Sequence, residues 1–159
     1  MRLFLFIITI TVSTTSFCQE KKLVDIRTCF KSIGEVHDVE QLIKMTSNYL
    51  DHPVVLAYNC TGKLMLLEYY SNPFEQYRIF KTKTTQLDSI VLANPKLIEI
   101  RLLRYVVQKN SPYFLRYNSN IGNDLMLIKS HLFKVNENLQ FYIETILNQF
   151  NNDRSGNPS

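Results

Sequence analysis

Arg101, Arg104 and Gln108 are spaced at i, i+3 and i+7, so on a helix they share one face. Two guanidinium forks and an amide on one stripe can hold a carboxylate or a phosphate. They can equally be turned inward to lock helices together through Glu68, Asp88 or Asp124. Leu102, Leu103, Tyr105, Val106 and Val107 flank the stripe, and charges set among apolar residues are normally paired. That context favours Arg104 as a structural ion-pair partner, with Asp124 first and Glu68 second.

Other reactive types are sparse. His37, His52 and His131 are never three or four residues apart and make no compact metal-ligand pattern with acids or cysteines. His37 and His52 flank expected helix ends, where a capping role fits. There is no Gly-x-Ser-x-Gly, no Cys/His nucleophile signature and no glycine-rich phosphate loop. Glu68 and Glu99 are candidates for a carboxylate pair of the glycosidase type, but nothing in the spacing brings them together. No catalytic residue, cofactor or metal site is therefore assigned. Cys29 and Cys60 both fall in apolar helical surroundings, where a free thiol packs as a small hydrophobe; a disulfide between them is the less favoured alternative. Exposed tyrosines such as Tyr69 and Tyr70 are candidates to line a binding groove.

The elements that must position these groups read as helices. Leu23, Ile26, Phe30 and Ile33 recur every three or four residues and stop at Gly34. A second helix opens at His37-Asp38, with Asp38 as its cap and Val39, Leu42, Ile43, Thr46 and Tyr49-Leu50 as its inner stripe. Pro53 starts a third helix, running through Leu67. It is apolar on nearly every side and hence central, with Ala57, Cys60, Thr61 and Gly62 as a patch that lets a neighbour come close. Asn72-Pro73 starts a fourth helix that ends at Asn94, and Pro95 starts a fifth. Ser111-Pro112 stops the fifth, and a connector to Ser119 is anchored by Phe114, Leu115 and Tyr117. Asn120 or Asn123 caps a sixth helix carrying Leu125, Leu127, Ile128, Leu132 and Phe133, and a seventh runs from about Asn136 to Phe150. The expected fold is all-α: antiparallel hairpins of six to seven helices, arranged as an array or a compact bundle.

Residues 1–18 read as a secretory signal peptide: Arg2, the apolar run Leu3–Val12, then Ser13–Ser16 and a small-x-small site at Ser16-Phe17-Cys18. About ten apolar residues fall short of the roughly 20 that span a bilayer. Cleavage after Cys18 leaves Gln19 first. Lipid attachment at Cys18 is the rival processing, and it calls for a small residue where Phe17 is bulky. The remaining chain is one helical domain over 19–150, followed by a polar tail, 151–159, expected to be disordered. Without Arg2 the 18 basic side chains become 17, against 14 acidic ones. That small, dispersed excess carries no nucleic-acid footprint.

Asp51 to His131 resembles a group of uncharacterised exported helical proteins of Bacteroidetes-type bacteria. The resemblance is carried by Pro53-Val54-Val55-Leu56-Ala57-Tyr58, Asn72-Pro73-Phe74, Asn94-Pro95, Glu99-Ile100-Arg101-Leu102-Leu103-Arg104, Gln108, Pro112 and Phe114-Leu115-x-Tyr117. It implies export and a helical domain and brings no activity with it. The helix ending at Ala93-Asn94-Pro95 is also similar to the second half of a tetratricopeptide-type hairpin. The repeat period of about 34 residues does not recur, and Lys83 replaces an expected small residue. Hairpins of this kind usually present a groove. The functional expectation is a non-catalytic exported protein, periplasmic or secreted, that binds a protein or peptide, with no nucleic-acid partner and no membrane span in the mature chain. The alternative is an anion or small-molecule binder, or an enzyme, built on Arg101, Arg104 and Gln108.

Overall fold

Proline and asparagine joints divide the chain into helices, and a computed structural model describes residues 20–152. The segment read as a signal peptide and most of the tail lie outside the described residues. Seven α-helices and no strand occur among the described residues. They are α1 (20–31), α2 (Val36–Thr46), α3 (Pro53–Met65), α4 (Pro73–Ala93), α5 (Ile98–Asn110), α6 (Ile121–His131) and α7 (Glu137–Asn152). Short 3-10 turns follow α3 (Leu66–Tyr69), α5 (Tyr113–Leu115) and α6 (Leu132–Lys134). None of these helices is long and apolar enough to cross a membrane.

Local chemistry explains most boundaries. Pro53 and Pro73 each occupy a first-turn position, where a missing N–H costs nothing. Asn72 caps α4 by accepting from the N–H groups of Phe74 (3.0 Å) and Glu75 (3.4 Å). Asn136 accepts from the Leu139 N–H (2.9 Å) at the start of α7. At α2 the cap is Glu35 rather than Asp38, one turn earlier than the sequence suggests. The Asp38 carboxylate instead reaches back to the N–H groups of Gly34 and Glu35, both at 3.0 Å. These two donors hold its pKa below the usual carboxylate range.

α3 and α5 are the central pair. Nine residues of α3 and ten of α5 are buried, so neither helix has a polar outer face. Leu42, Val54, Val55, Leu87, Ile100, Leu102, Leu103, Ile128, Ile143 and Ile146 belong to one continuous core around them. The small-residue patch of α3 does what its composition suggests. A Cβ added at Gly62 would stand 3.0 Å from Ile43 Cγ1 and 3.3 Å from Leu42 Cδ2, so glycine sets the approach of α2. Asn59 Nδ2 donates to Thr46 Oγ1 (2.9 Å) and pins the same pair.

Several expectations fail for local reasons. Tyr49 and Leu50 follow the end of α2 and are exposed, so the stripe stops at Thr46. α3 tightens into a 3-10 turn at Leu66. α5 begins at Ile98, because Asn94 to Leu97 close a turn (Leu97 N–H to Asn94 C=O, 3.1 Å). Phe114 does not anchor the connector; it is exposed, and Leu115 and Tyr117 pack against the core. The connector turns at Arg116, whose φ of 52° is left-handed. Asn120 sits at the α6 cap position without a side-chain capping bond. Phe133 is exposed in the turn after α6. α7 extends through Asn152, two residues into the expected tail.

Candidate functional site

The arginine stripe faces carboxylates. Arg104 donates from Nε to Asp124 Oδ2 (2.7 Å) and from Nη2 to Asp124 Oδ1 (2.8 Å), a two-pronged pair. Its Nη1 reaches Asp88 Oδ1 on α4 at 3.1 Å. Arg101 donates from Nη1 to Asp124 Oδ1 (2.9 Å) and from Nε to the Pro95 carbonyl (3.2 Å). Tyr117 Oη donates to Asp88 Oδ1 at 3.0 Å. Asp124 is fully enclosed and the Arg104 side chain is 7% exposed, so this pair meets in low dielectric, while Asp88 at its edge stays a third exposed. Burial pulls the Arg104 guanidinium down, but the bonds and charge of Asp124, then Asp88, outweigh it and hold it above the usual arginine value. Burial and the Asp88 charge together push the Tyr117 phenol well up. Asp124 lies in the first turn of α6, where the helix dipole also favours a negative charge.

Gln108 takes a different part. Its Oε1 accepts from the Asn120 N–H (3.2 Å), fixing the entry to α6, and its buried Nε2 has no hydrogen-bond partner among the described residues. Glu68 is not part of this network; it lies exposed on the 3-10 turn after α3.

A second buried polar cluster joins four helices and was not legible as a unit. Arg27 of α1 grips Glu99 of α5 with Nε–Oε1 and Nη2–Oε2 distances of 2.7 Å each. Tyr58 Oη of α3 lies 2.9 Å from Glu99 Oε1 and 2.8 Å from Tyr142 Oη of α7. Burial, then the Glu99 charge, raises the Tyr58 phenol far above its ordinary range. Burial raises Tyr142 as well. His52, at the α3 cap position, makes no capping bond, and its Nδ1 is buried with no partner among the described residues. Its pKa is lowered, first by burial and then by the Arg27 charge, against the pull of Glu99. Glu99 belongs to the first turn of α5, whereas Glu68 lines a cleft at that helix's last turn. They are not a carboxylate pair.

His37 lies beside Asp38 (3.1 Å), and His131 Nδ1 lies 3.1 Å from the Leu127 carbonyl. No group of metal-ligating side chains occurs among the described residues. Cys29 and Cys60 carry free thiols, and burial raises the pKa of both, so neither is poised as a nucleophile.

The cleft itself, about 680 Å³, opens at the bundle end where the α1–α2, α3–α4 and α5–α6 connections meet. Val39, Leu64, Phe80, Val106 and Val107 form its floor and Tyr69, Tyr77 and Phe114 its mouth, with Phe150 of α7 closing one side. Gln76 secures the wall by donating to the Leu67 carbonyl at 3.2 Å and to that of Tyr70. Tyr77 is 55% and Phe114 78% exposed. Phe74 and Tyr113, beside them in sequence, are more exposed still. Exposed rings are thus concentrated at this end of the bundle. No residue of the arginine stripe lines this cleft. Of the two tyrosines expected to be exposed at a groove, Tyr69 lines the cleft, whereas Tyr70 is half-buried and does not; the remaining walls come from segments far apart in sequence. No family model, curated protein sequence or solved structure matches the chain.

Proposed function

We propose that this chain is an exported, non-catalytic helical protein that binds a polypeptide in the cleft between the α1–α2, α3–α4 and α5–α6 connections. One observation carries the reading: the open apolar cleft has a mouth of exposed aromatic rings held on a well-packed helical core. Its volume lies in the range that accommodates a drug-sized molecule or the anchor side chains of one docked segment. The antiparallel hairpins are similar to tetratricopeptide-type pairs in presenting a groove. Export, to the periplasm or beyond, rests on residues 1–18, with cleavage after Cys18 and Gln19 as the first mature residue.

Anion binding or catalysis at Arg101, Arg104 and Gln108 is the weaker reading, because both guanidinium groups already meet Asp124. A random peptide library displayed on phage and selected on the chain from Gln19 tests the proposal. Enrichment on the wild type, lost on the Tyr77→Ser/Phe114→Ser variant, supports it. Absence of enrichment, or equal enrichment on both proteins, overturns it.

A further inference from the structure

Charge around the cleft runs against the charge of the chain. Basic side chains outnumber acidic ones, 18 to 14. Yet Glu35 and Glu68 line the cleft, and no lysine, arginine or histidine among the described residues does. The Glu35 carboxylate is open to solvent, and its one ion-pair neighbour among the described residues is the exposed His37 imidazole, 3.8 Å away. Glu68 is exposed on the turn that forms the opposite end of α3 from His52. Tyr69 and Tyr77 line the same cleft and are both half-exposed, and a tyrosine ring attracts cations through its quadrupole as carboxylates do through their charge. Beneath them the floor is apolar.

Resting on the reading of the cleft as a polypeptide site, we propose that its occupant is a basic amphipathic segment of a partner protein. Apolar side chains of that segment enter the floor over Phe80 and Val107. Its lysine or arginine side chains meet Glu35, Glu68 and the tyrosine rings. An acidic segment would put carboxylates beside Glu35 and Glu68 with no cation to offset them, so the same groups also reject the wrong partner.

Fluorescence anisotropy with three labelled peptides tests this. Each has roughly 14 residues, four helical turns, with leucine at helical spacing and lysine, glutamine or glutamate elsewhere. The Leu/Lys peptide is expected to bind the wild type about tenfold tighter than the Leu/Gln peptide and tighter still than Leu/Glu. That preference should shrink as salt rises and vanish in Glu35→Gln/Glu68→Gln, in which glutamine keeps an acceptor oxygen for the α2 cap and circular dichroism checks that the helices are retained. If Leu/Gln and Leu/Glu bind as tightly as Leu/Lys, the charge assignment falls while the cleft remains a polypeptide site. If no peptide binds, or binding survives Tyr77→Ser/Phe114→Ser, both fall. If tetramethylammonium at equal concentration displaces Leu/Lys, the occupant is a small cation and the polypeptide assignment is wrong.

Discussion

Replacing Arg104 by alanine should cost the protein about 3 kcal/mol. Breaking a buried ion pair by removing one partner typically costs ~3–5 kcal/mol, because the other charge stays buried without compensation. Here Asp124 loses two hydrogen bonds, of 2.7 and 2.8 Å, but keeps Arg101 at 2.9 Å. Asp88 is a third exposed and can turn to water. Those two retained options place Arg104→Ala at the lower end of the range. Asp124→Ala should cost more, toward ~5 kcal/mol, since it leaves Arg101 and Arg104 facing each other without a carboxylate between them. Lys129→Ala, on the exposed side of α6, should stay within about 0.5 kcal/mol. For a domain of this length 1 kcal/mol moves Tm by roughly 3–4 °C, so Arg104→Ala should melt about 10 °C lower. Thermal and urea denaturation followed by circular dichroism read all three variants. An Arg104→Ala protein as stable as Lys129→Ala would refute the reasoning and leave that arginine free for a ligand.

Three further outcomes follow from the same packing. Gly62→Leu should destabilise by ~1–3 kcal/mol through overpacking against Ile43 and Leu42, whereas Gly122→Ala, with nothing within 4 Å of the added Cβ, should be neutral or gain up to ~1 kcal/mol in chemical denaturation. His52 has a folded pKa below its unfolded value of about 6.5, so the unfolded chain binds the proton more readily. The stability this group contributes is therefore present above about pH 6.5 and is lost as pH falls from there toward its folded pKa. His52→Gln should flatten the urea midpoint across that window, and an unchanged slope would count against it. Intact-mass analysis of the protein made in its own host should find Gln19 as the first residue; a mass retaining Met1 would contradict the export reading, and one carrying lipid on Cys18 would contradict cleavage after that residue.

What the sequence carried was whatever is local. Pro53 and Asn72-Pro73 announce helix starts because proline's ring and asparagine's carbonyl act within one turn. The all-round apolar α3 announces a central helix because exposure on any side would be costly. Arg104 and Asp124 belong to consecutive helices, and the apolar residues on both sides of Arg104 already require a partner nearby. The Arg27–Glu99–Tyr58–Tyr142 cluster gives no such signal, since its members lie on four helices and each alone resembles an ordinary surface or core residue. The cleft is harder still. Its walls join Gly34, Leu64, Tyr77, Phe114 and Phe150, and only the packed bundle brings them together. Phe114 shows the limit well: apolar type suggests an anchor, yet its ring lies outside the core while its neighbour Leu115 packs against it.

The most direct measurement is an amide and arginine-side-chain NMR titration of the chain from Gln19 with the Leu/Lys peptide. Shifts should concentrate at Gly34, Gln76, Tyr77, Asn110 and Phe114, while the Arg104 Nε–H signal, locked to Asp124, stays in place. Shifts centred on Arg101, Arg104 and Gln108 with the cleft amides unmoved would contradict it and return function to the arginine stripe.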